Sequence, residues 1–353
     1  MKKTVAILFG GQSTEYEVSL KSATSVINNL DREKYDIILI GITKDGKWRL
    51  YDGEIANIAP DKWYNESLKT VCLSHGTNDS SLLVLDGDRF EKLHIDVVFP
   101  VLHGANGEDG TVQGLFELSG VKYVGVGLLT SCVGMDKAYT KVVMANADID
   151  QADWVVVHNY EMKNADKILD TIENKLGYPA FVKPANAGSS IGIGKAKDRA
   201  SLLDALNEAF KFDRKVIVEE FLTGREVECA VIGARGNIRA SRVGEILPDS
   251  EFYDYESKYS DSSQSKLIIP ATFKGDIEKR VRETAVKVFE ALDGKGLSRV
   301  DFFVNEEKDT VKLNEINTLP GFTNISMYPK LMMETGMTYS ELLDELINIA
   351  FEE

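Results

Sequence analysis

The chain alternates short apolar runs with longer polar segments whose apolar positions recur at helical spacing. In the first third, residues 4–9, 36–42 and 96–102 are apolar runs typical of buried parallel strands. Between the first two runs, one helical face is formed by Val18, Ser22, Val26 and Leu30. This β-α-β order predicts a doubly wound α/β sheet whose ligands bind beyond the carboxyl ends of the strands.

The remainder of the chain predicts an α+β arrangement. Helices are predicted over 136–147, 167–176, 201–212 and 276–292, with a last helix beginning at a capping box from Thr338 to Glu341. Strands are predicted over 180–183, 216–220, 226–233, 239–246, 267–270, 297–304 and 311–316. The stretch 248–266 is polar, rich in Tyr and Ser and without a period, which predicts a lid or binding loop. We therefore expect three domains, at 1–130, 131–225 and 226–353.

Charge and composition narrow the function. The 353 residues include 41 Lys and Arg against 56 Asp and Glu, a net charge of −15, which argues against a nucleic-acid partner. No apolar run approaches the ~18 residues that a membrane span needs, and the start of the chain lacks the long apolar segment of a signal peptide. Three widely spaced cysteines are typical of reduced thiols. We expect a cytoplasmic protein without a membrane partner.

Two apparent motifs do not hold. The segment Gly41-Ile-Thr-Lys-Asp-Gly46-Lys47 imitates a phosphate-binding loop, but Trp48 follows where Ser or Thr would bind Mg²⁺, so we interpret it as a turn. The segment Gly188-Ser-Ser-Ile-Gly192 imitates a nucleophile elbow, but the residues after it predict a returning strand rather than a helix. The four histidines show no metal-binding spacing.

A first candidate site combines a lysine with a hairpin. Lys183 ends a short strand just before the Gly188 segment, where backbone N–H groups can cradle phosphate oxygens while the lysine neutralises charge. The alternative is an ordinary surface hairpin. A buried strand also ends at Glu219 and Glu220, and such an edge can bind adenine and ribose or be a solvated strand end.

The C-terminal candidate is more specific. Arg299 and Asp301 share one face of a predicted strand, and Glu315 and Asn317 share one face of another, because side chains alternate along a strand. If the strands pair, Asp301, Glu315 and Asn317 offer hard oxygen ligands for Mg²⁺, with Arg299 beside them. The loop that follows, through Gly321, then presents backbone N–H groups next to the metal. A surface salt-bridge face is the alternative.

In their joint order and spacing these segments resemble the D-alanine–D-alanine ligases of the ATP-grasp superfamily. The resemblance spans the whole chain and rests on seven motifs: Gly10-Gly-Gln-Ser-Thr-Glu-Tyr-Glu-Val-Ser-Leu20, Leu102-His-Gly-Ala-Asn-Gly-Glu-Asp-Gly110, Met135-Asp-Lys137, Lys183-Pro-Ala-Asn-Ala-Gly-Ser-Ser190, Phe252-Tyr-Asp-Tyr-Glu-Ser-Lys-Tyr259, Arg299-Val-Asp301 and Glu315-Ile-Asn-Thr-Leu-Pro-Gly-Phe-Thr323. It implies a doubly wound preATP-grasp domain followed by a two-lobed ATP-grasp fold.

The resemblance also implies a role for individual residues. ATP phosphates would be bound by Lys137, Lys183 and Lys258, and the adenosine by Glu219, Phe221, Leu222 and Glu226. Mg²⁺, or Mn²⁺ in its place, would be held by Asp301, Glu315 and Asn317. The substrates would be bound by Glu15, His103, Ser326 and Met327. The catalytic set would be Glu15, Ser189, Tyr259, Arg299 and Gly321, in which Glu15, Ser189 and Tyr259 form a hydrogen-bonded triad. Some members have lysine and tryptophan at the positions of Glu220 and Phe221, which is a departure in this chain.

The implied reaction is ATP-dependent joining of two D-alanines through a D-alanyl phosphate, for peptidoglycan precursor synthesis, with a homodimer as the common assembly. The lid tyrosine, Tyr259, argues against D-lactate as the second substrate. The segment Ser326-Met-Tyr328 favours D-alanine over D-serine, which remains the first alternative. Two others are an ATP-grasp ligase for a different acid and amine, and an inactive nucleotide-binding regulator, although no predicted site residue is missing.

Overall fold

The structure is a computed structural model that describes residues 2–75, 80–188, 191–247 and 266–352. Three predicted site residues, Ser189, Lys258 and Tyr259, lie outside the described residues. So does nearly all of the predicted lid loop, of which the described residues include only residue 266.

The N-terminal part of the chain forms an eight-stranded sheet in the order β6-β5-β4-β3-β2-β1-β7-β8. Its strands are β1 (Lys3–Gly10), β2 (Tyr35–Ile42), β3 (Trp48–Tyr51), β4 (Thr70–Leu73), β5 (Ser81–Asp86), β6 (Arg89–His94), β7 (Val97–Pro100) and β8 (Lys122–Tyr123). Its helices are α1 (Tyr16–Asn29) and α2 (Thr111–Ser119), with a short 3₁₀ helix at Ile55–Asn57. Strands β2, β1, β7 and β8 are parallel, which confirms the predicted doubly wound core.

Two smaller sheets follow. The first has the order β11-β10-β12-β9 and the second β15-β14-β13-β16-β17. Their strands are β9 (Trp154–His158), β10 (Ala180–Pro184), β11 (Gly194–Ala196), β12 (Lys215–Glu220), β13 (Arg225–Gly233), β14 (Arg239–Leu247), β15 (Lys266–Ile268), β16 (Gly296–Asn305) and β17 (Thr310–Asn317). The helices are α3 (Leu128–Met135), α4 (Lys137–Asn146), α5 (Ala165–Leu176), α6 (Arg199–Ala209), α7 (Ile277–Ala291), α8 (Met327–Met333) and α9 (Tyr339–Ile349), with a 3₁₀ helix at Asn159–Asn164.

Every helix and strand predicted from the sequence is present, with ends shifted by a few residues. The capping box at the start of α9 forms, because Thr338 and Glu341 each accept a bond from the other's backbone N–H. The imitation phosphate-binding loop is a turn between antiparallel β2 and β3, and the imitation elbow is followed by β11, which pairs antiparallel with β10, rather than by a helix. Both interpretations are confirmed.

The antiparallel extension β3–β6 and strand β9 were not predicted from the sequence. Strands β3 to β6 are four to six residues long. The edge strand β6 is exposed along most of its length, so it has no buried face to mark it in the sequence. In the described part of the chain no helix has both the length and the apolar character to cross a membrane.

The fold brings the two halves of the site together. Glu15 precedes α1 and His103 follows β7, so both lie beyond the carboxyl ends of parallel strands, as predicted. One hydrophobic core joins the N-terminal sheet to the C-terminal helices, since Val5 and Leu20 belong to the same buried cluster as Leu331 and Leu346. Helix α1 is therefore packed directly against the C-terminal part of the chain.

Candidate active site

A single cleft of about 1050 Å³ lies where the three sheets meet. It is lined by all fifteen of the predicted site residues that the structure describes: Glu15, His103, Lys137, Lys183, Glu219, Phe221, Leu222, Glu226, Arg299, Asp301, Glu315, Asn317, Gly321, Ser326 and Met327. Residues spread over more than three hundred positions of the chain thus converge on one space.

Helix α4 carries two lysines into this cleft. Asp136 caps its first turn, accepting from the backbone N–H groups of residues 138 and 139, and forms an ion pair with Lys215 on β12. Lys137, at the first helical position, donates to the carbonyl oxygen of Ala187 at 2.8 Å. Lys141 lies one turn further along the same face, as residues four apart do. Lys141 was not predicted from the sequence.

Glu219 is buried between two lysines. Its Oε2 lies 2.6 Å from Lys183 Nζ and its Oε1 lies 2.8 Å from Lys141 Nζ. Burial by itself would raise the pKa of Glu219, but the two ammonium groups outweigh it and lower that pKa to about 2. Burial lowers the pKa of Lys141, while the Glu219 carboxylate opposes that shift. Because Glu219 is buried, the alternative interpretation of this segment as a solvated strand end is excluded.

The next residues form an aromatic wall. The rings of Phe181 and Phe221 are stacked with centroids 5.6 Å apart and planes 23° apart, and Lys195 Nζ lies 4.5 Å from the Phe221 ring. Glu220, where some family members have lysine, instead pairs with Lys312 at 2.6 Å. A flat apolar wall with a cation over it suits a purine base.

The predicted metal residues come together as the strand argument required. Strands β16 and β17 are antiparallel, with Arg299 opposite Asn317 and Asp301 opposite Glu315. Arg299 donates to both carboxylate oxygens of Asp301 at 2.8 and 2.7 Å, and Asn317 Nδ2 donates to Asp301 Oδ2 at 3.0 Å.

Two further charges complete this cluster. Glu228 Oε2 on β13 lies 2.9 Å from Arg299 Nε, and Lys137 Nζ lies 3.9 Å from Glu315 Oε2. The cluster is partly buried in the cleft, which excludes a surface salt-bridge face. Among the described residues, no group of three His, Cys, Asp or Glu side chains forms a metal site. The set Asp301, Glu315 and Asn317 offers two carboxylates and one amide.

At the opposite end of the cleft, Glu15 is packed against two backbone segments. A side chain at Gly104, whose φ is +69°, would place its Cβ 2.6 Å from Glu15 Oε2, and one at Gly188 would place it 3.1 Å away. Both glycines therefore make room for this carboxylate. The neighbouring Glu108 accepts from the N–H groups of Gly104 at 2.7 Å and Leu319 at 3.3 Å.

Glu108 is a second residue that the sequence analysis missed, although it lies in a quoted motif. Burial and the nearby Glu15 carboxylate raise the pKa of Glu108 to about 8, while its two backbone hydrogen bonds oppose that shift. Glu15 and Glu108 thus place two carboxyl groups side by side at this end of the cleft, which suits the ammonium group of an amino acid.

The loop 318–326 closes the cleft beside these residues. Ser326 Oγ accepts from Thr323 N at 3.1 Å and lies 2.7 Å from Thr323 Oγ1. Met327, the first residue of α8, packs against Gly244 on β14. His103 reaches this loop through its ring, with Nδ1 2.9 Å from the carbonyl oxygen of Leu319.

Two α+β lobes behind a doubly wound domain, with lysines and an Asp-Glu-Asn set in the cleft between them, define an ATP-grasp protein. A family model for the D-ala D-ala ligase N-terminus matches residues 4–126, and one for the D-ala D-ala ligase C-terminus matches residues 143–348. The chain belongs to the D-alanine–D-alanine ligase family, as the resemblance predicted.

Individual relatives cover the whole chain. A D-alanine–D-alanine ligase of Ruminiclostridium cellulolyticum is 52% identical over 99% of this chain and 96% of its own length. A D-alanine–D-alanine ligase of Clostridium novyi is 51% identical over 100% of this chain and 99% of its own length. Among solved structures, the VanG D-Ala:D-Ser ligase of Enterococcus faecalis is similar with a TM-score of 0.90 and 42% identity over 99% of this chain and 100% of that one. The structure of the D-alanine-D-alanine ligase from Coxiella burnetii is similar with a TM-score of 0.85 and 34% identity, and the match covers 99% of this chain and 94% of that one.

Proposed function

We propose that this chain joins two molecules of D-alanine, with ATP converted to ADP and phosphate, through a D-alanyl phosphate intermediate. The observation that carries the proposal is the convergence of every described site residue on one cleft, with cations at one end and carboxylates at the other. The family models for the N-terminal and the C-terminal part, together with the curated relatives at about 50% identity, support the same reaction.

The first step is transfer of the γ-phosphoryl group to a D-alanine carboxylate. A carboxylate oxygen attacks the γ-phosphorus, the bond to the bridging oxygen breaks, and ADP leaves. Lys137 and Lys183 lower the charge of the phosphates, which is the main protein contribution to phosphoryl transfer. When ATP binds, Lys183 exchanges part of its contact with Glu219 for a phosphate oxygen, while Lys141 keeps Glu219 paired.

The residues Asp301, Glu315 and Asn317 fit Mg²⁺, because two carboxylates and an amide are hard oxygen donors already assembled on adjacent strands. Mn²⁺ prefers similar ligands. A bound Mg²⁺ would neutralise charge on the transferring phosphoryl group. Arg299 holds Asp301 in place by two hydrogen bonds, so the carboxylate is oriented before any ligand arrives.

The second step is attack of the second amine on the acyl carbon. The tetrahedral intermediate places negative charge on the former carbonyl oxygen, and expulsion of phosphate restores the carbonyl as an amide. Arg299 and the Gly321 N–H are the proposed donors to that oxygen. The ammonium group must lose a proton before it attacks, and we assign that route to Ser189 and Tyr259 with Glu15, of which only Glu15 lies in the described part of the chain.

D-Serine is the second candidate for the amine substrate, because the structure of a D-Ala:D-Ser ligase matches the full chain at 42% identity. The two substrates differ by one hydroxyl, which an apolar pocket discriminates weakly. Ser326 and Met327 border the space concerned. We assign D-alanine, following the curated relatives.

The proposal is tested by measuring ATP-dependent phosphate release with D-alanine alone and with excess D-serine, with the dipeptides identified by mass. We expect phosphate release that depends on D-alanine, and D-alanyl-D-alanine as the main product in both cases. A dominant mixed dipeptide would move the chain to the D-serine-adding ligases. Phosphate release independent of D-alanine would overturn the proposal.

The remaining assignments complete the proposal. We place the reaction in the cytoplasm, where ATP is available, as one step of peptidoglycan precursor synthesis.

We retain the domain boundaries at 1–130, 131–225 and 226–353, since each range contains one of the three sheets. The exception is Arg225, the first residue of β13, which lies one residue before the third range. We also propose a homodimer, which sedimentation at micromolar concentration would distinguish from a monomer.

A further inference from the structure

The loop that contains Gly321 is held by the N-terminal part of the chain. Residues 318–322 are buried, although they follow strand β17 at the far end of the chain. Ser22 lies near the middle of α1, fully buried, between the apolar residues Val18 and Val26 of the same helical face. Its Oγ lies 3.2 Å from the backbone nitrogen of Phe322 and 3.1 Å from His103 Nε2.

The hydrogen atoms in this group can be assigned from its partners. The Leu319 carbonyl oxygen only accepts, so His103 Nδ1, 2.9 Å away, carries the proton and donates it. Burial lowers the pKa of His103, which leaves the ring neutral and makes Nε2 an acceptor. The Ser22 hydroxyl therefore donates to Nε2, and its oxygen accepts from the N–H of Phe322.

The result is a closed set of neutral hydrogen bonds on both sides of Gly321. Leu319 is held through its carbonyl oxygen by His103 and through its N–H by Glu108. Phe322, immediately after Gly321, is held through its N–H by Ser22. The peptide group that carries the Gly321 N–H thus lies between two fixed residues, Leu319 before it and Phe322 after it.

We propose that Ser22 is a positioning residue for the ligation step, holding the backbone N–H of Gly321 where the oxyanion of the tetrahedral intermediate forms. This inference rests on the proposed function. Ser22 does not line the cleft and touches no substrate in this arrangement; it acts through Phe322 and His103. A backbone donor cannot be replaced by mutation, so its position has to be set by neighbouring side chains of this kind.

The two steps of the reaction separate this role from a purely structural one. The Gly321 donor is needed when the acyl carbon becomes tetrahedral, and the phosphorylation of D-alanine does not use it. Loss of Ser22 should therefore slow amide formation more than phosphoryl transfer. A general weakening of the fold would slow both by the same factor.

The chain offers a matched control on the same helix. Ser19 is also fully buried, one turn earlier, and also accepts one backbone bond, from Gly10 N at 2.8 Å, and donates another, to the carbonyl oxygen of Val101. Both partners lie within the N-terminal sheet region. Ser19→Ala thus removes an equivalent buried hydroxyl without touching the Gly321 loop.

The experiment measures two quantities in the full-length wild type, Ser22→Ala and Ser19→Ala. The first is dipeptide formation at saturating ATP and D-alanine. The second is exchange of labelled oxygen between the β–γ bridging and the non-bridging β positions of ATP, which reports reversible phosphorylation of D-alanine. For Ser22→Ala we expect dipeptide formation to fall about tenfold or more, with the ratio of exchange to dipeptide rising by a similar factor. For Ser19→Ala we expect the wild-type ratio.

Further variants guard against loss of folding. Ser22→Cys keeps the shape with a weaker donor and acceptor and should shift the ratio in the same direction. Ser22→Thr keeps the hydroxyl and should return the ratio towards the wild-type value. A ratio unchanged in both Ser22→Ala and Ser22→Cys, or raised equally in Ser19→Ala, would overturn the inference. If the wild type makes no dipeptide, the proposed function itself fails.

Discussion

The two ends of the cleft are held by different kinds of interaction. At the nucleotide end, Glu219 is fixed by ion pairs with Lys141 and Lys183, so charged side chains position one another. At the acyl end, the Gly321 loop is fixed by neutral hydrogen bonds: Ser22 accepts from the N–H of Phe322, and His103 donates to the carbonyl oxygen of Leu319. The lysines of the ion pairs can exchange a carboxylate for a phosphate group when a ligand arrives. The hydrogen bonds of Ser22 and His103 involve no charged group, so a charged ligand does not replace them.

This difference follows from what each end has to bind. Phosphate groups arrive with their charge, so the cations that receive them must be kept desolvated and ready without being locked to one partner. An oxyanion exists only during the reaction, so its donors must be in place beforehand. The comparison predicts that changes at the two ends will affect different steps of the reaction.

The largest effect is expected from Asp301→Asn, which alters the carboxylate that both ends share. The variant replaces a charged Mg²⁺ ligand by a neutral amide and keeps at most one of the two hydrogen bonds with Arg299. We expect dipeptide formation to fall at least about 100-fold and its half-maximal Mg²⁺ concentration to rise. Asp344→Asn, which removes a carboxylate paired with Lys34 away from the cleft, is the control. A near wild-type rate for Asp301→Asn at low Mg²⁺ would contradict the assignment.

A smaller effect is expected from Lys141→Met at the nucleotide end. With Lys141 gone, Glu219 has Lys183 as its remaining partner and holds it more tightly, so Lys183 is less available to phosphate. We expect the KM for ATP to rise about tenfold, equivalent to a coupling of ~1.4 kcal/mol, with the KM for D-alanine little changed.

The control for Lys141→Met is Lys215→Met. Lys215 also joins β12 to α4 by a partly buried ion pair, with Asp136, but it does not line the cleft. The KM for ATP should stay close to the wild-type value in this variant. Equal increases in both variants would show that the effect comes from the helix–strand contact rather than from Glu219.

The ion pair between Glu219 and Lys141 also predicts how acid affects the stability of the fold. The folded-state pKa of Glu219, about 2, lies below its ordinary value, so the stabilisation it contributes is complete above about pH 4.5 and is lost as the pH falls towards 2. In Lys141→Met that contribution is smaller. The difference in urea midpoint between wild type and variant should therefore be constant from pH 7 to 5 and narrow from pH 4.5 to 3. A difference that does not depend on pH would contradict the role given to Glu219.

The smallest effect concerns Glu108 at the acyl end. Since burial and Glu15 raise its pKa to about 8, this carboxyl is mostly protonated at pH 7, and a bound ammonium group nearby should lower that pKa. Binding of D-alanine should therefore release a fraction of a proton at pH 7.5, seen by calorimetry in buffers of different ionisation enthalpy. The release should vanish in Glu108→Gln and above pH 9. Release that persists in Glu108→Gln would assign the proton to another group.

Much of the fold and site could be predicted because the signals are local. The alternation along β16 and β17 already placed Asp301, Glu315 and Asn317 on shared faces, and the structure pairs them as expected. The partners of Lys141 and Ser22 could not be predicted, because Glu219 and Phe322 are distant in sequence and no period links them. Ser22 lies among apolar positions of its helix, so the pattern predicted only that it is buried. Because buried hydroxyl groups are hydrogen-bonded, its hydroxyl could have indicated that it has a buried partner.

The account is tested most directly by comparing Lys141→Met with Ser22→Ala in one assay of oxygen exchange and dipeptide formation at subsaturating ATP. We predict that Lys141→Met lowers both quantities together and keeps the wild-type ratio of exchange to dipeptide. We predict that Ser22→Ala lowers dipeptide formation alone and raises the ratio. If both variants give the same ratio, the two ends do not serve separate steps and the account is wrong.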